Sequence, residues 1–265
     1  MKKYIFLGLL TGSIVVQAQD RLFTYTYQSG VLNQGQKEIE VWTTVSNGRT
    51  NFYRGIDHRM EFEVGFGSKL QSSLYLNYGY STAIEEENGV QNLVSNTEYS
   101  VSNEWKLKLS DPMANKIGSA LYLEGELSPT ESSLEGKLIL DKQMGKCVSA
   151  LNLVGEYVNG KEFVVDGSLL HSQYVGELNL EWNYGFSYKI QEHLNVGVEV
   201  FNQNQIVDSK WSNSVLQLGP CVSYSINNFW VNLSCMPQVA DLKGKGLELK
   251  DHERLQTRLV FSYAL

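Results

Sequence analysis

Histidine, proline and cysteine are scarce in this 265-residue chain, at 4, 4 and 3 copies. Three cysteines in a chain of this length make no disulfide framework. Beyond residue 18 no stretch approaches the ~18 consecutive apolar residues of a transmembrane helix, so the remainder is either water-soluble or a membrane β-barrel. Helical 3.6-residue periodicity is hard to find anywhere. Basic residues are outnumbered, 22 against 29 acidic, which argues against nucleic acid as a partner. No metal-ligand spacing, phosphate loop or dinucleotide fingerprint is present, and no cofactor is expected.

What is abundant is alternation. In Glu177-Leu-Asn-Leu-Glu-Trp-Asn-Tyr-Gly-Phe-Ser-Tyr188, the residues Leu178, Leu180, Trp182, Tyr184, Phe186 and Tyr188 fall on one face of a strand. Glu177, Asn179, Glu181, Asn183, Gly185 and Ser187 fall on the other, because successive strand side chains point oppositely. A typical globular strand has about 5–6 residues, whereas an outer-membrane crossing takes about 9–11. This stretch is long enough to cross.

The N-terminus reads as a signal peptide over residues 1–18: Met-Lys-Lys, an apolar run from Tyr4 to Val16, and Val16-Gln17-Ala18 ahead of a cut after Ala18. Loss of Lys2 and Lys3 leaves 20 basic against 29 acidic residues, a net charge of −9. Residues 19–35, in which Phe23, Tyr25 and Tyr27 alternate, are expected as a periplasmic lead-in, either a strand or an inward-folded plug.

Residues 36–265 divide into twelve predicted strands, at about 36–47, 53–66, 69–82, 93–109, 116–128, 132–142, 147–158, 177–188, 193–203, 214–226, 229–239 and 254–265. Each alternates apolar and polar residues. Pro220 and Pro237 are awkward in mid-strand and predict bulges or strand ends. Cys221 and Cys235 take opposite faces, so no pairing is expected. The gaps alternate between short (67–68, 110–115, 143–146, 190–192, 227–228) and mostly long (83–92, 159–173, 204–213, 240–253), as periplasmic turns and outer loops of a barrel do. The exceptions are 48–52 and 129–131, short on the outer side. Outward aromatics gather in two girdles: Phe66, Phe186, Tyr188, Tyr224, Phe229, Phe261 and Tyr263 at the short-turn ends, and Tyr78, Tyr80, Tyr99 and Tyr157 at the others. The expected fold is an all-β, transmembrane, antiparallel up-and-down β-barrel of about twelve strands in the bacterial outer membrane, with both termini periplasmic.

Arg21-Leu-Phe-Thr-Tyr-Thr-Tyr27, Glu40-Val-Trp-Thr-Thr44, Arg59-Met-Glu-Phe-Glu-Val-Gly65 and Ser73-Leu-Tyr-Leu-Asn77 resemble an uncharacterised family of bacterial outer-membrane barrels, loosely akin to the porin-like phenol-degradation (MetA-type) group. The resemblance covers residues 21–80 well and the rest only as barrel pattern. It implies a signal-bearing outer-membrane protein and carries no catalytic motif or substrate.

By parity, the candidate lumen-lining residues are Glu38, Glu40, Arg59, Glu61, Glu63, Glu98, Glu104, Lys106, Glu124, Glu126, Lys137, Glu177, Glu181, Glu199 and Arg258, and Lys108, Glu135, Asp141 and Glu156 share that face. An acid-rich open lumen would prefer cations. Alternatively the same side chains cross-link a filled barrel, with Arg59 near Glu40 and Arg258 near Glu38 or Glu40. The histidines, in Asp57-His58-Arg59, His171-Ser172, His193-Leu194-Asn195 and His252-Glu253, lack the His-x-Ser or Asp-x-His spacing of outer-membrane acyl hydrolases and rim proteases. The leading expectation is a passive small-solute channel, weakly cation-preferring, in contact with outer-membrane lipid and with small solutes or ions. A structural or surface-interaction barrel comes second and a rim enzyme third. Oligomeric state and substrate are not legible.

Overall fold

The computed structural model of the chain describes residues 21–265 apart from 88, 167 and 168. The signal peptide expected over residues 1–18 lies outside the described residues. Twelve strands are formed: β1 (Lys37–Asn47), β2 (Tyr53–Gly65), β3 (Leu70–Glu87), β4 (Val90–Ser110), β5 (Gly118–Leu127), β6 (Glu131–Met144), β7 (Cys147–Asp166), β8 (Leu169–Lys189), β9 (Leu194–Val207), β10 (Lys210–Ile226), β11 (Phe229–Asp241) and β12 (Leu255–Ala264). Each pairs antiparallel with the next, and β12 closes on β1 with Trp42 opposite Val260. Closure leaves no sheet edge in the wall, which is what a sheet needs where no water can satisfy its backbone.

Alternation sets which face of each strand looks out. On β11, Trp230, Asn232, Ser234, Met236 and Gln238 are buried in the lumen, while Phe229, Leu233, Cys235 and Val239 are exposed outside. Leu74, Leu76, Val101, Leu121, Leu123, Leu134 and Leu153 are likewise exposed on the outer wall. Tyr188, Tyr224, Phe229, Phe261 and Tyr263 rim this belt at one end, and Tyr78, Tyr80, Tyr99 and Tyr157 rim it at the other. The end that holds Lys37 and Ala264 is called the base and the opposite end the mouth.

The expected long mouth loops take a different form. Residues 83–92, 159–173 and 204–213 are largely strand, and the β9–β10 connection is only Asp208-Ser209, both with positive φ (50° and 60°), as a hairpin type I′ turn requires. The β7–β8 ladder runs on to Asp166 opposite Leu169, whereas β6 reaches only Gly160 and β9 only Glu177. This hairpin therefore stands clear of the wall. Its two apolar clusters are runs of consecutive residues without the alternation of the membrane strands, yet the backbone pairing continues past the belt. The remaining extended loop, 242–254, is tied to the β1–β2 turn by Arg254 N donating to Gly48 O (2.9 Å) and by an Arg49–Glu253 ion pair.

Pro220 and Pro237 sit where the β10–β11 pairing skips from Gln217–Gln238 to Cys221–Ser234, with a register shift beside it at Leu216/Gln217. Proline has no N–H to give to the ladder. All three cysteines are free, Cys221 buried and Cys235 exposed.

Candidate functional site

Of the two forms expected for the N-terminal lead-in, a strand or an inward-folded plug, the described part takes the second and lies inside the barrel. Residues 21–34 have no regular strand or helix, yet Phe23, Thr24, Thr26 and Ser29 are fully buried. A coil in this position needs its backbone polar groups met by the wall, and inward polar side chains do so. Glu199 accepts from Thr24 N (3.0 Å) and Oγ1 (2.8 Å) with one oxygen, and from Tyr25 N (2.9 Å) and Thr26 N (3.0 Å) with the other. Asn152 clamps Tyr27 at both ends of the residue, accepting from its N–H at 2.6 Å and donating to its carbonyl at 3.0 Å. Asp141 takes Ser29, Gln71 takes Leu32 N (2.9 Å), and Asn232 donates to Arg21 O (2.7 Å).

Inward glycines make the seats. A Cβ on Gly185 would stand 2.7 Å from the Phe23 ring, and one on Gly65 would overlap the carbonyls of Leu32 and Asn33. Around the plug, Tyr27, Trp42, Tyr122, Ile139, Trp230 and Val260 form an apolar cluster. The base half of the lumen is thereby filled.

Above the plug, a cavity of about 820 Å³ is floored by Tyr25, Tyr27 and Trp42. Eight carboxyl groups line it (Asp57, Glu98, Glu124, Glu126, Glu131, Glu135, Glu156 and Glu181) against three cationic side chains, Arg59, Lys137 and Arg258. Arg59 reaches Glu124 (3.4 Å) and Glu126 (3.6 Å), and Lys137 reaches Glu135 (2.8 Å). Asp57, Glu98, Glu131, Glu156 and Glu181 have no ion pair among the described residues.

Three of these acids, Glu124, Glu135 and Glu156, share one register with buried residues of the base. Residues directly opposite on neighbouring strands are Glu38, Glu63, Ser73, Glu104, Glu124, Glu135 and Glu156, one unbroken row across β1 to β7. The strands are tilted in a closed barrel, so the row climbs: Glu38 is the second residue of β1 at the base and Glu156 the tenth of β7. Like charges placed directly opposite destabilise a sheet, so such a row does not serve stability.

Of the residues singled out by parity, Arg59, Glu98, Glu124, Glu126, Lys137, Glu181 and Arg258 line the cavity. Glu38, Glu40, Glu61, Glu63, Glu104, Lys106 and Glu199 are buried in the base half. Glu177 stands opposite Val207 at the end of β9, half-buried and higher than the rest. Two expected pairings are replaced. Arg59 does not meet Glu40: its guanidinium lies over Tyr75 (4.4 Å) and extends to β5, because Glu40 is taken by Arg21 of the plug at 3.7 Å. Arg258 meets neither Glu38 nor Glu40 but donates to Thr44 Oγ1 (2.8 Å) and covers Tyr25 (3.8 Å), since the plug occupies the space between. Asp57 and Glu131, which parity had not singled out, also line the cavity. His58 is exposed, within hydrogen-bond distance of Thr43 (3.0 Å) and stacked on Tyr78.

A family model described as a family of unknown function, DUF6662, matches residues 15–265. The chain belongs to this family. No curated protein sequence matches it. Among solved structures, this DUF6662 chain is similar to the NanC porin (TM-score 0.54, 10% identity, 86% of this chain and 100% of that one). It is also similar to the β domain of the Bordetella autotransporter BrkA (0.54, 7%, 88% and 100%) and to the translocator domain of NalP from Neisseria meningitidis (0.55, 10%, 86% and 87%). At such identities the likeness is one of fold: a transmembrane barrel of the outer-membrane type.

Proposed function

We propose that this DUF6662 protein is a small-solute channel of the bacterial outer membrane, weakly cation-preferring and closed in this conformation by residues 21–32. The base, with its short turns and both strand ends, faces the periplasm, the mouth faces outward, and the leader is cut after Ala18. The observation that carries the reading is the 820 Å³ cavity with eight carboxyls against three cations, a volume within the ~300–1,000 Å³ of small-molecule sites. Its floor is a coil held by side-chain hydrogen bonds rather than a strand of the wall, so the floor is separable from the barrel. A porin and two autotransporter domains share this fold, so the lumen rather than the wall must decide the function.

The apolar cluster around Tyr27, Trp42 and Trp230 favours a second reading, a filled barrel that serves as a structural or surface-interaction element. Planar-bilayer recording separates the two. The channel reading expects background conductance from the full chain and cation-selective conductance after deletion of residues 21–32. Background conductance from a deletion variant that is folded by heat-modifiability on a gel would establish the filled barrel.

A further inference from the structure

We propose that the cavity above the plug binds a linear aliphatic polyamine; the inference rests on the channel reading for the cavity's role and names its class of solute. It starts from a column of acceptors on the inner face of β8, where Asn179, Glu181 and Asn183 alternate inward. Asn179 and Asn183 are 7% and 5% exposed, and the side-chain carbonyl oxygen of each has no donor. Glu181, between them, has neither an ion pair nor a hydrogen bond to its carboxylate among the described residues. Glu181 and Asn183 both line the cavity.

Buried acceptors without donors are costly and uncommon in folded proteins, and here three in one column lack the same thing. Asn179 cannot turn its amide round to relieve the shortage, because its Nδ2 donates to Glu156 Oε2 (3.3 Å). The column therefore calls for a ligand that brings donors. A primary ammonium has three donors and no acceptor. Beside the column, Phe201 stands opposite Asn183 and packs on Tyr25 with ring centroids 5.3 Å apart, which offers an apolar surface to methylene groups.

A second acidic set lines the β2–β4 sector of the same cavity. Asp57 and Glu98 flank Gly79 in register. A Cβ on Gly79 would stand 3.1 Å from Asp57 Oδ1 and 3.7 Å from Glu98 Cβ, so the glycine keeps the space between the two carboxylates open. The spread of the acids decides the shape of the ligand. Among the described residues, the three carboxylates close enough to share one metal ion are Glu40, Glu61 and Glu63, and none of them lines the cavity. The cavity acids without ion pairs are distributed over β2, β4, β6, β7 and β8, so a ligand that meets both sets must carry positive charge at more than one point along its length. Of the three lining cations, Arg59 and Lys137 are already paired with acids.

The test titrates spermidine calorimetrically into the full chain, folded in a non-ionic detergent at low salt. Spermidine is expected to bind at least tenfold more tightly than n-butylamine, Mg²⁺ or lysine, the last of which adds a carboxylate to its two ammonium groups. Affinity should fall at least tenfold in E181Q and in D57N/E98Q, and stay unchanged in E85Q/E86Q, which removes two exposed acids at the mouth end of β3. If D57N/E98Q does not fold, E181Q alone decides. No binding of spermidine, or binding of Mg²⁺ as tight, would overturn the site in favour of a diffuse acidic field. Lysine binding more tightly than spermidine would replace it with a zwitterion site at Arg258, and affinity unchanged in E181Q would place spermidine elsewhere. The channel reading fails separately: spermidine binding by the full chain, with no conductance after deletion of residues 21–32, sinks the channel and keeps the site. Conductance without spermidine binding does the reverse.

Discussion

Glu199 is the residue on which closure of the lumen most depends. Its carboxylate, fully buried, accepts four hydrogen bonds from Thr24, Tyr25 and Thr26, and among the described residues no other wall residue holds three consecutive residues of the plug. A hydrogen bond to a charged group contributes about 1.5–3 kcal/mol net, and a buried donor left without a partner costs about 1–3 kcal/mol. Replacement by Ala removes all four bonds at once and orphans three N–H groups. The effects are not additive and water entering from the cavity recovers part of them, so the loss of plug seating is placed at about 3–6 kcal/mol. At 1.4 kcal/mol per tenfold, the ratio of unseated to seated plug rises by about 10²–10⁴. Glu199→Gln, whose amide has one accepting oxygen instead of two, should fall between. The readout is labelling of Thr26→Cys by a water-soluble maleimide, in a background where Cys147, Cys221 and Cys235 are replaced by Ser. Thr26 is buried beside Glu199, so a cysteine there is protected while the plug is seated. Labelling should accelerate in the order native, Gln, Ala, with conductance rising in parallel. Equal labelling rates in a folded Glu199→Ala variant would refute the anchoring role.

The fit of Phe23 over Gly185 predicts that Gly185→Val destabilises the seated plug and that Phe23→Ala partly rescues it; a double-mutant cycle on thermal unfolding with no coupling would contradict the contact. Leu123→Arg, on the outer wall near the middle of the belt, should cost about 2–4 kcal/mol of folding stability in bilayers, whereas Leu93→Arg on the overhanging part of β4 should cost about 0–1. Equal costs in denaturant titrations would misplace the belt. In protein lacking residues 21–32, the triple change of Glu131, Glu156 and Glu181 to Gln should lower the cation-to-anion permeability ratio, most at low salt, where screening beyond ~10 Å is weakest. These three are preferred to Glu124 and Glu126 because the latter pair with Arg59, and their loss would free a compensating charge. A ratio unchanged at low salt would remove the acids from control of selectivity.

The barrel itself was legible because a strand has a side-chain period of two, and a wall between lipid and a polar lumen must write that period along its whole length. Twelve strands, their faces, both aromatic girdles and the inward acids follow from that constraint, residue by residue. Residues 159–173 carry no such alternation: the apolar pairs Phe163-Val164 and Leu169-Leu170 are odd for a solvated loop and fit either a strand extension or an inward fold, and the paired hairpin shows the extension. Phe23, Tyr25 and Tyr27 alternate like a strand, and nothing local distinguishes them from one. Their place inside the barrel is decided by what faces them from distant strands, namely the vacancy over Gly65 and Gly185 and the acceptors on Asp141, Asn152 and Glu199. Seating the plug then redirects the charges, giving Glu40 to Arg21 and sending Arg59 to Glu124. Pattern along the chain determined the wall, because each strand meets lipid and lumen independently; the contents of the lumen were decided only on closure, because they depend on side chains from strands more than a hundred residues apart meeting in one enclosed volume.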